Sequence, residues 1–188
     1  MDGRNRIFGV EHPDTVMAMA NLAVTYADLG KYSEAEKLEE QVLDGRNRIL
    51  GVEHPDTIRA MANLAVTYAD LGKYSEAEKL ERQVLDARNR ILGLEHPHTI
   101  LAMANLAAMY GNLGNYTEAE NLQKVVLDRR NRQLGGQHPD TIRAMESLAA
   151  TYGNQRNDTE AEKLKVQVLN AKNKLLSVEN NTSDNILE

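Results

Sequence analysis

Apolar positions along the chain recur at helical spacing. Ala18, Met19, Leu22, Ala23 and Tyr26 step by one, three, one and three residues, which gathers five side chains on one face of a helix. A second stripe, Ala35, Leu38, Val42 and Leu43, follows after a break. The break carries the punctuation expected between two helices: Pro13 stands where a first helical residue would, and Gly30 follows the last residue of that pattern. The pattern therefore predicts one helix from about Pro13 to Leu29 and a second from Ser33 to near Leu50, folded back on each other as a hairpin. Ser33 and Glu36 have the spacing of a capping box, as do Ser75 and Glu78, Thr117 and Glu120, and Thr159 and Glu162. Asp44/Arg48, Asp86/Arg90 and Asp128/Arg132 add acid-before-base pairs at i,i+4.

The whole unit repeats. Pro13, Pro55, Pro97 and Pro139 lie 42 residues apart, each preceded by a histidine: His12, His54, His96 and His138. Residues 9–50 and 51–92 differ at four positions only, Val16/Ile58, Met17/Arg59, Glu40/Arg82 and Gly45/Ala87, so duplication is the economical origin. The expected organisation is one solenoid domain. It begins with a partial second helix of a preceding repeat at 1–8, where Ile7 and Phe8 would cap the stack, and continues with repeats at 9–50, 51–92, 93–134 and 135–176. The fourth, terminal repeat carries Gln155-Arg156 where Leu113-Gly114 stands in the third. A polar tail at 177–188, without periodicity, should fray.

Comparing copies within one chain separates packing from free surface. The five positions above never change in type, whereas a second set on the first helices varies: Met17/Arg59/Leu101/Arg143, Ala20/Ala62/Ala104/Glu146, Val24/Val66/Ala108/Ala150 and Asp28/Asp70/Asn112/Asn154. One face packs and the other is free to differ.

Composition narrows the partners and the chemistry. No cysteine is present, which removes thiolate ligands and thiol nucleophiles. A net charge of −6 gives no electrostatic reason to bind nucleic acid or anionic lipid. No apolar run approaches the roughly 20 residues that span a bilayer, and MDGRNRIFG has no signal-peptide core, so a cytoplasmic location is expected.

Asn21-Leu22-Ala23 followed by Tyr26, then Gly30, Tyr32 and Ala35, recurring through four copies with Ser147, Arg156 and Asp158 as departures in the fourth, resembles the tetratricopeptide repeat. The 42-residue period with Gly-x-Glu-His-Pro linkers resembles the long repeats of kinesin light chain, and similar arrays form the sensor part of nucleotide-binding immune-type receptors. The resemblance implies an all-α fold, a right-handed α-α superhelix of stacked antiparallel hairpins, whose first helices line a concave groove. It also implies a non-catalytic scaffold that binds a peptide or protein segment there. Asn21, Asn63 and Asn105 occupy the family position whose amide holds the backbone of an extended peptide, with Ser147 breaking the series. Around them the variable face would supply Met17, Val24, Val66 and Leu101 as apolar anchors, with Arg59, Arg143, Asp28, Asp70, Asn112 and Glu146 as polar and mixed-charge contacts. The sequence departs from the family where a large apolar residue is usual in mid second helix: Glu39, Glu81, Gln123 and Lys165 stand there.

Chemistry disfavours other uses of the repeated side chains. Histidines at equal intervals look like metal ligands, yet stacked helices lie about 8–10 Å apart, while zinc ligands converge at about 2.0–2.1 Å from the metal. Linker capping is the expectation, with no metal and no cofactor. Tyr26, Tyr68, Tyr110 and Tyr152 belong with the core, their hydroxyls hydrogen-bonded. Asn47, Asn89, Asn131 and Asn173 are expected to form inter-repeat side-chain hydrogen bonds. No nucleophile motif, phosphate loop or carboxylate pair singles out catalytic residues. Two further alternatives are a ligand-sensing or self-associating array of an NTPase receptor and a metal-dependent enzyme fragment using His96, His98 and nearby carboxylates; head-to-tail stacking between molecules is a separate expectation.

Overall fold

The structure is a computed structural model that describes residues 12–184, with side chains through 175. The expected helical cap at Ile7 and Phe8 lies outside the described residues. Among the described residues eight helices follow in order: α1 (Pro13–Asp28), α2 (Tyr32–Leu50), α3 (Pro55–Asp70), α4 (Tyr74–Leu92), α5 (Pro97–Asn112), α6 (Tyr116–Leu134), α7 (Pro139–Asn154) and α8 (Asp158–Asp184). No strand occurs among the described residues. The chain divides into two compact units, Met1–Leu94 and Glu95–Glu188. In the first, α1 pairs with α2, α2 packs on α3, and α3 pairs with α4. In the second, α5 pairs with α6, α6 packs on α7, and α7 pairs with α8.

Each first helix begins on a proline whose missing N–H is one that helix geometry leaves unsatisfied anyway. The preceding histidine caps it: Nδ1 of His12, His54, His96 and His138 accepts from the backbone N–H two residues on, at 3.3, 3.1, 3.2 and 3.1 Å. The repeated histidines are thus linker caps, as expected.

Each hairpin turn is a Schellman motif. Gly30 donates to the Ala27 carbonyl at 2.9 Å and Lys31 to the Tyr26 carbonyl at 2.8 Å, with Gly30 at φ +69°. The fourth copy keeps the same two bonds, Arg156 to Gly153 and Asn157 to Tyr152, although Arg156 must adopt φ 60° to do so.

The turn also explains a correction. The capping boxes do not form, because α2 starts at Tyr32 and its N-cap is Lys31, whose side chain makes no cap bond. Lys31 is at once the residue that closes α1 and the residue that opens α2, so Ser33 falls inside the first turn. The same holds for Lys73 and Asn115, and in the fourth copy the Asn157 amide oxygen accepts from Glu160 N–H at 3.4 Å.

The other end of the second helix differs at the last copy. α2, α4 and α6 stop at Gly51, Gly93 and Gly135, with φ of 80° to 85°. Ser177 replaces that glycine, and α8 runs on to Asp184 through residues expected to fray. Without a residue that readily turns left-handed, the helix has no stop signal.

The unchanging face is the core. Met19, Met61, Met103 and Met145 are 3–6% exposed, and Ala23, Ala65, Ala107 and Ala149 are buried beside them. Tyr110 and Tyr152 are buried, while Tyr26 and Tyr68 are half-buried. From the second helices Ala35, Ala77, Ala119 and Ala161 close against this face with almost no exposure. Alanine there lets two backbones approach closely, which a chain with a single Phe and no Trp needs for dense packing.

Candidate functional site

The variable face of the first helices is exposed. Met17, Val24, Val66 and Leu101 are 42–52% exposed, and Asn21, Asn63, Arg59, Arg143, Asp28, Asp70, Asn112 and Glu146 are exposed, while Asn105 is half-buried. Their common side follows from α1 geometry: residues 17, 21, 24 and 28 step by four, three and four, the complement of the buried stripe.

In the second unit the fold brings part of the set together. Leu101 and Asn105 of α5 and Arg143 of α7 line one cavity of about 640 Å³, with Ile100 and Ala104 behind them. Ser147, where the asparagine series breaks, also lines it, its hydroxyl donating to the Arg143 carbonyl at 3.0 Å. Glu146 does not join this group: it lines a second cavity with Ala149 and Ala150, and it pairs with Lys172 of α8 at 2.7 Å.

Sequence reasoning assigned the groove to first helices alone and missed the second-helix tails. Arg130, Gln133 and Leu134 of α6 reach into the 640 Å³ cavity. Arg130 donates to the Asp140 carbonyl at 3.1 Å, and Arg46 donates in the same way to Asp56 at 2.9 Å in the first unit. Burial pushes the Arg130 guanidinium below its usual value, Asp140 opposes that, and Arg143 adds to it. Arg46 responds likewise to burial, to Arg59 and, in the opposite sense, to Asp56. The signal was available: Arg46 and Arg130 precede their linkers in corresponding copies.

Both variable arginines are held by the aspartate three residues earlier, Arg59 by Asp56 at 2.7 Å and Arg143 by Asp140. Pairs this exposed contribute about 0–1 kcal/mol, so a ligand carboxylate can draw the guanidinium away at small cost.

The polar residues in mid second helix are buried. Glu39, Glu81 and Gln123 are 6%, 1% and 8% exposed, whereas Lys165 is open to solvent. Glu39 hydrogen-bonds Thr67 of α3, and burial raises its carboxyl pKa against that bond. Tyr68 beside it donates to Glu40 at 2.9 Å; burial first, then Glu40, pushes its hydroxyl to about 12. Lys73 pairs with Glu36 and lies over the Tyr68 ring, so α2 and α3 are stitched by polar contacts as well as by apolar ones.

The four linker-proximal asparagines correct an expectation. Asn47, Asn89, Asn131 and Asn173 are exposed, and the first three serve through their backbone carbonyls, which accept from Gly51, Gly93 and Gly135 at 3.0 Å. Asn47, Asn89 and Asn131 sit on the final turn of their helices, whereas α8 continues past Asn173. Of the expected i,i+4 pairs, Arg48 with Asp44 and Arg132 with Asp128 form at 2.9 Å, while Arg90 reaches instead to Glu53 at 2.7 Å. His96 and His98 stack with ring centroids 5.3 Å apart, and among the described residues no three metal-binding side chains converge. No described helix is long and apolar enough to cross a membrane.

Family models of the tetratricopeptide repeat match residues 15–56, 57–98 and 98–174. No curated protein matches. Among solved structures, a Podosopora anserina protein described as a kinesin light chain with nearly identical TPR-like repeats is 29% identical. It covers 92% of this chain and 82% of its own, at a TM-score of 0.80. A variant of it aligns over 93% and 82% at 29% identity, with a TM-score of 0.83. BtubC (BKLC) from P. vanneervenii, at 20% identity, shares the fold over 87% of this chain and 66% of its own, with a TM-score of 0.79.

Proposed function

Because the chain belongs to the tetratricopeptide repeat family, whose members generally mediate protein–protein interaction, we propose that it is a non-catalytic scaffold that binds an extended peptide along the exposed face of the first helices. The observation that carries this reading is the cavity in which Leu101, Asn105 and Arg143 meet, with Arg130 beside them. It offers an apolar seat, an amide able to pair with a peptide unit, and a guanidinium whose present partner is easily exchanged. In the first unit, taken by itself, Met17, Val24 and Val66 offer the same chemistry on α1 and α3 as exposed apolar seats on helices that also carry Asn21 and Asn63. The ligand is a mixed-charge segment with apolar anchors.

Replacing Asn63 and Asn105 by Leu tests it. A displayed library of random peptides should be enriched by the parent protein and not by the double variant at equal helicity; equal enrichment at equal helicity would overturn the reading. The receptor alternative uses the same face and adds an NTPase domain that flanking gene sequence would encode. Self-association has its own support in α8, where Leu169 is 59% exposed while its counterparts Leu43, Leu85 and Leu127 are half-buried, and where Val166, 50% exposed, replaces Glu40, Arg82 and Lys124. A second copy docking there would raise the mass measured by sedimentation as concentration increases.

A further inference from the structure

Where each second helix nears its end it packs against the linker and first helix of its hairpin neighbours, and three copies solve this place differently. In the second copy Arg90 reaches the linker residue Glu53 at 2.7 Å. In the third, the residue corresponding to Ala87 is Arg129, and its side chain fills the space: it is 12% exposed, donates to the Met103 sulfur at 3.1 Å and pairs with the linker residue Glu95 at 3.2 Å. In the fourth copy both charges are gone. Ala171 stands for Arg129 and Gln137 for Glu95, and a cavity of about 420 Å³ opens between Gln137, Ala171 and Met145, the equivalent of Met103.

The exchange is balanced: one cation and its carboxylate are lost together. Met145, Ala171 and Leu127 leave an apolar floor, and the walls carry the amides of Asn131, Gln137, Gln167 and Asn170. Each amide offers one acceptor oxygen and two N–H donors. The Asp128 carboxylate at this site is paired with Arg132 at 2.9 Å, and Lys174 is exposed at the rim. A guanidinium placed here would lack the carboxylate that Arg129 has, and a buried charge without a partner is costly. A neutral group that both donates and accepts, carried on a short apolar stem, fits what remains.

We propose that this cavity is a second binding site, separate from the first-helix face, and that it receives a primary carboxamide of the kind carried by a glutamine or asparagine side chain. Gln137 distinguishes it from the second and third copies, which carry Glu53 and Glu95, and Ala171 distinguishes it from the third, where Arg129 occupies the space; the second copy has Ala87 at that position.

The test follows the methyl resonances of Met145 and Ala171 while the whole protein is titrated with three blocked amino acids, the N-acetyl N-methylamides of glutamine, glutamate and arginine. The glutamine compound should give saturable shifts and bind at least about tenfold more tightly than the other two, because a site built for amide hydrogen bonds rejects what cannot make them. Free L-glutamine in a further arm separates a small-molecule ligand, which would match the blocked compound, from a side chain presented by a peptide, which would bind only when blocked. Joint replacement Ala171→Arg with Gln137→Glu refills the space as in the third copy and should abolish the response at unchanged helicity. Ala171→Leu, which fills the floor without charge, should do the same. Absence of a saturable shift with the glutamine compound, equal or tighter binding of the arginine or glutamate compound, or a response that survives both filling variants would each overturn the proposal.

Discussion

At the scale of single residues the informative positions are those where a polar side chain is buried or a side chain replaces backbone hydrogen bonding. Glu39 is buried against α3, and its raised pKa means that the native state holds a proton which the unfolded chain releases at lower pH. Its contribution is therefore fully present in acid and is lost as pH rises from its ordinary 4.5 through the raised folded value. Glu39→Gln, the residue type that the third copy already carries as Gln123, should be near neutral in acid. It should stabilise by on the order of 1 kcal/mol above the folded pKa, where burying the charge is most costly. Urea unfolding from pH 4 to 8 checks this, and a parallel shift at all pH values would contradict it. The histidine caps give a second prediction. His54→Ala should cost about 1 kcal/mol, the usual worth of an N-cap, and His54→Asn should recover most of it; thermal unfolding of both variants measures the difference.

Among elements, the hairpin turns decide more than the helices. The Schellman motif needs a residue at positive φ, and at Gly72 (φ +73°) an added Cβ meets nothing within 4 Å. Gly72→Ala therefore isolates the backbone cost, expected at about 1–2 kcal/mol. The fourth copy carries that cost already, since Arg156 sits at φ 60°. Arg156→Gly should raise stability by about 1 kcal/mol, with the transition temperature as the readout; no change would mean that Arg156 gains compensating contacts. The same turn explains why Ser33 and Glu36 fail as a capping box despite ideal spacing. Residue spacing along a chain does not reveal that one lysine both ends α1 and begins α2, and Glu36 is drawn to Lys73 across the helix pair instead.

For the molecule as a whole, repetition makes stability a sum of hairpins and their neighbour contacts. Glu39 and Arg156 lie in different compact units and share no partner, so the effects of Glu39→Gln and Arg156→Gly should add within about 0.5 kcal/mol in the double variant. Two separate transitions in calorimetry would show that the units unfold independently. The helices, their order and their buried stripes were legible in the sequence, because a 3.6-residue period repeated four times, with Pro and Gly at its edges, leaves one economical arrangement. The exposed face was legible as well, since positions that vary between copies of one chain are those that packing does not constrain. Tertiary structure alone decided the rest, for a common reason: these outcomes depend on which side chains meet across a helix boundary. Glu39 and Glu81 are buried although their type predicts exposure, Arg130 joins Arg143 in one cavity while Glu146 turns to Lys172, and the backbone carbonyls of Asn47, Asn89 and Asn131 accept from the glycines that stop their helices. A local period sets which face of a helix is apolar. The identity of the neighbour on that face, and the space left when an arginine becomes Ala171, arise only when the helices come together.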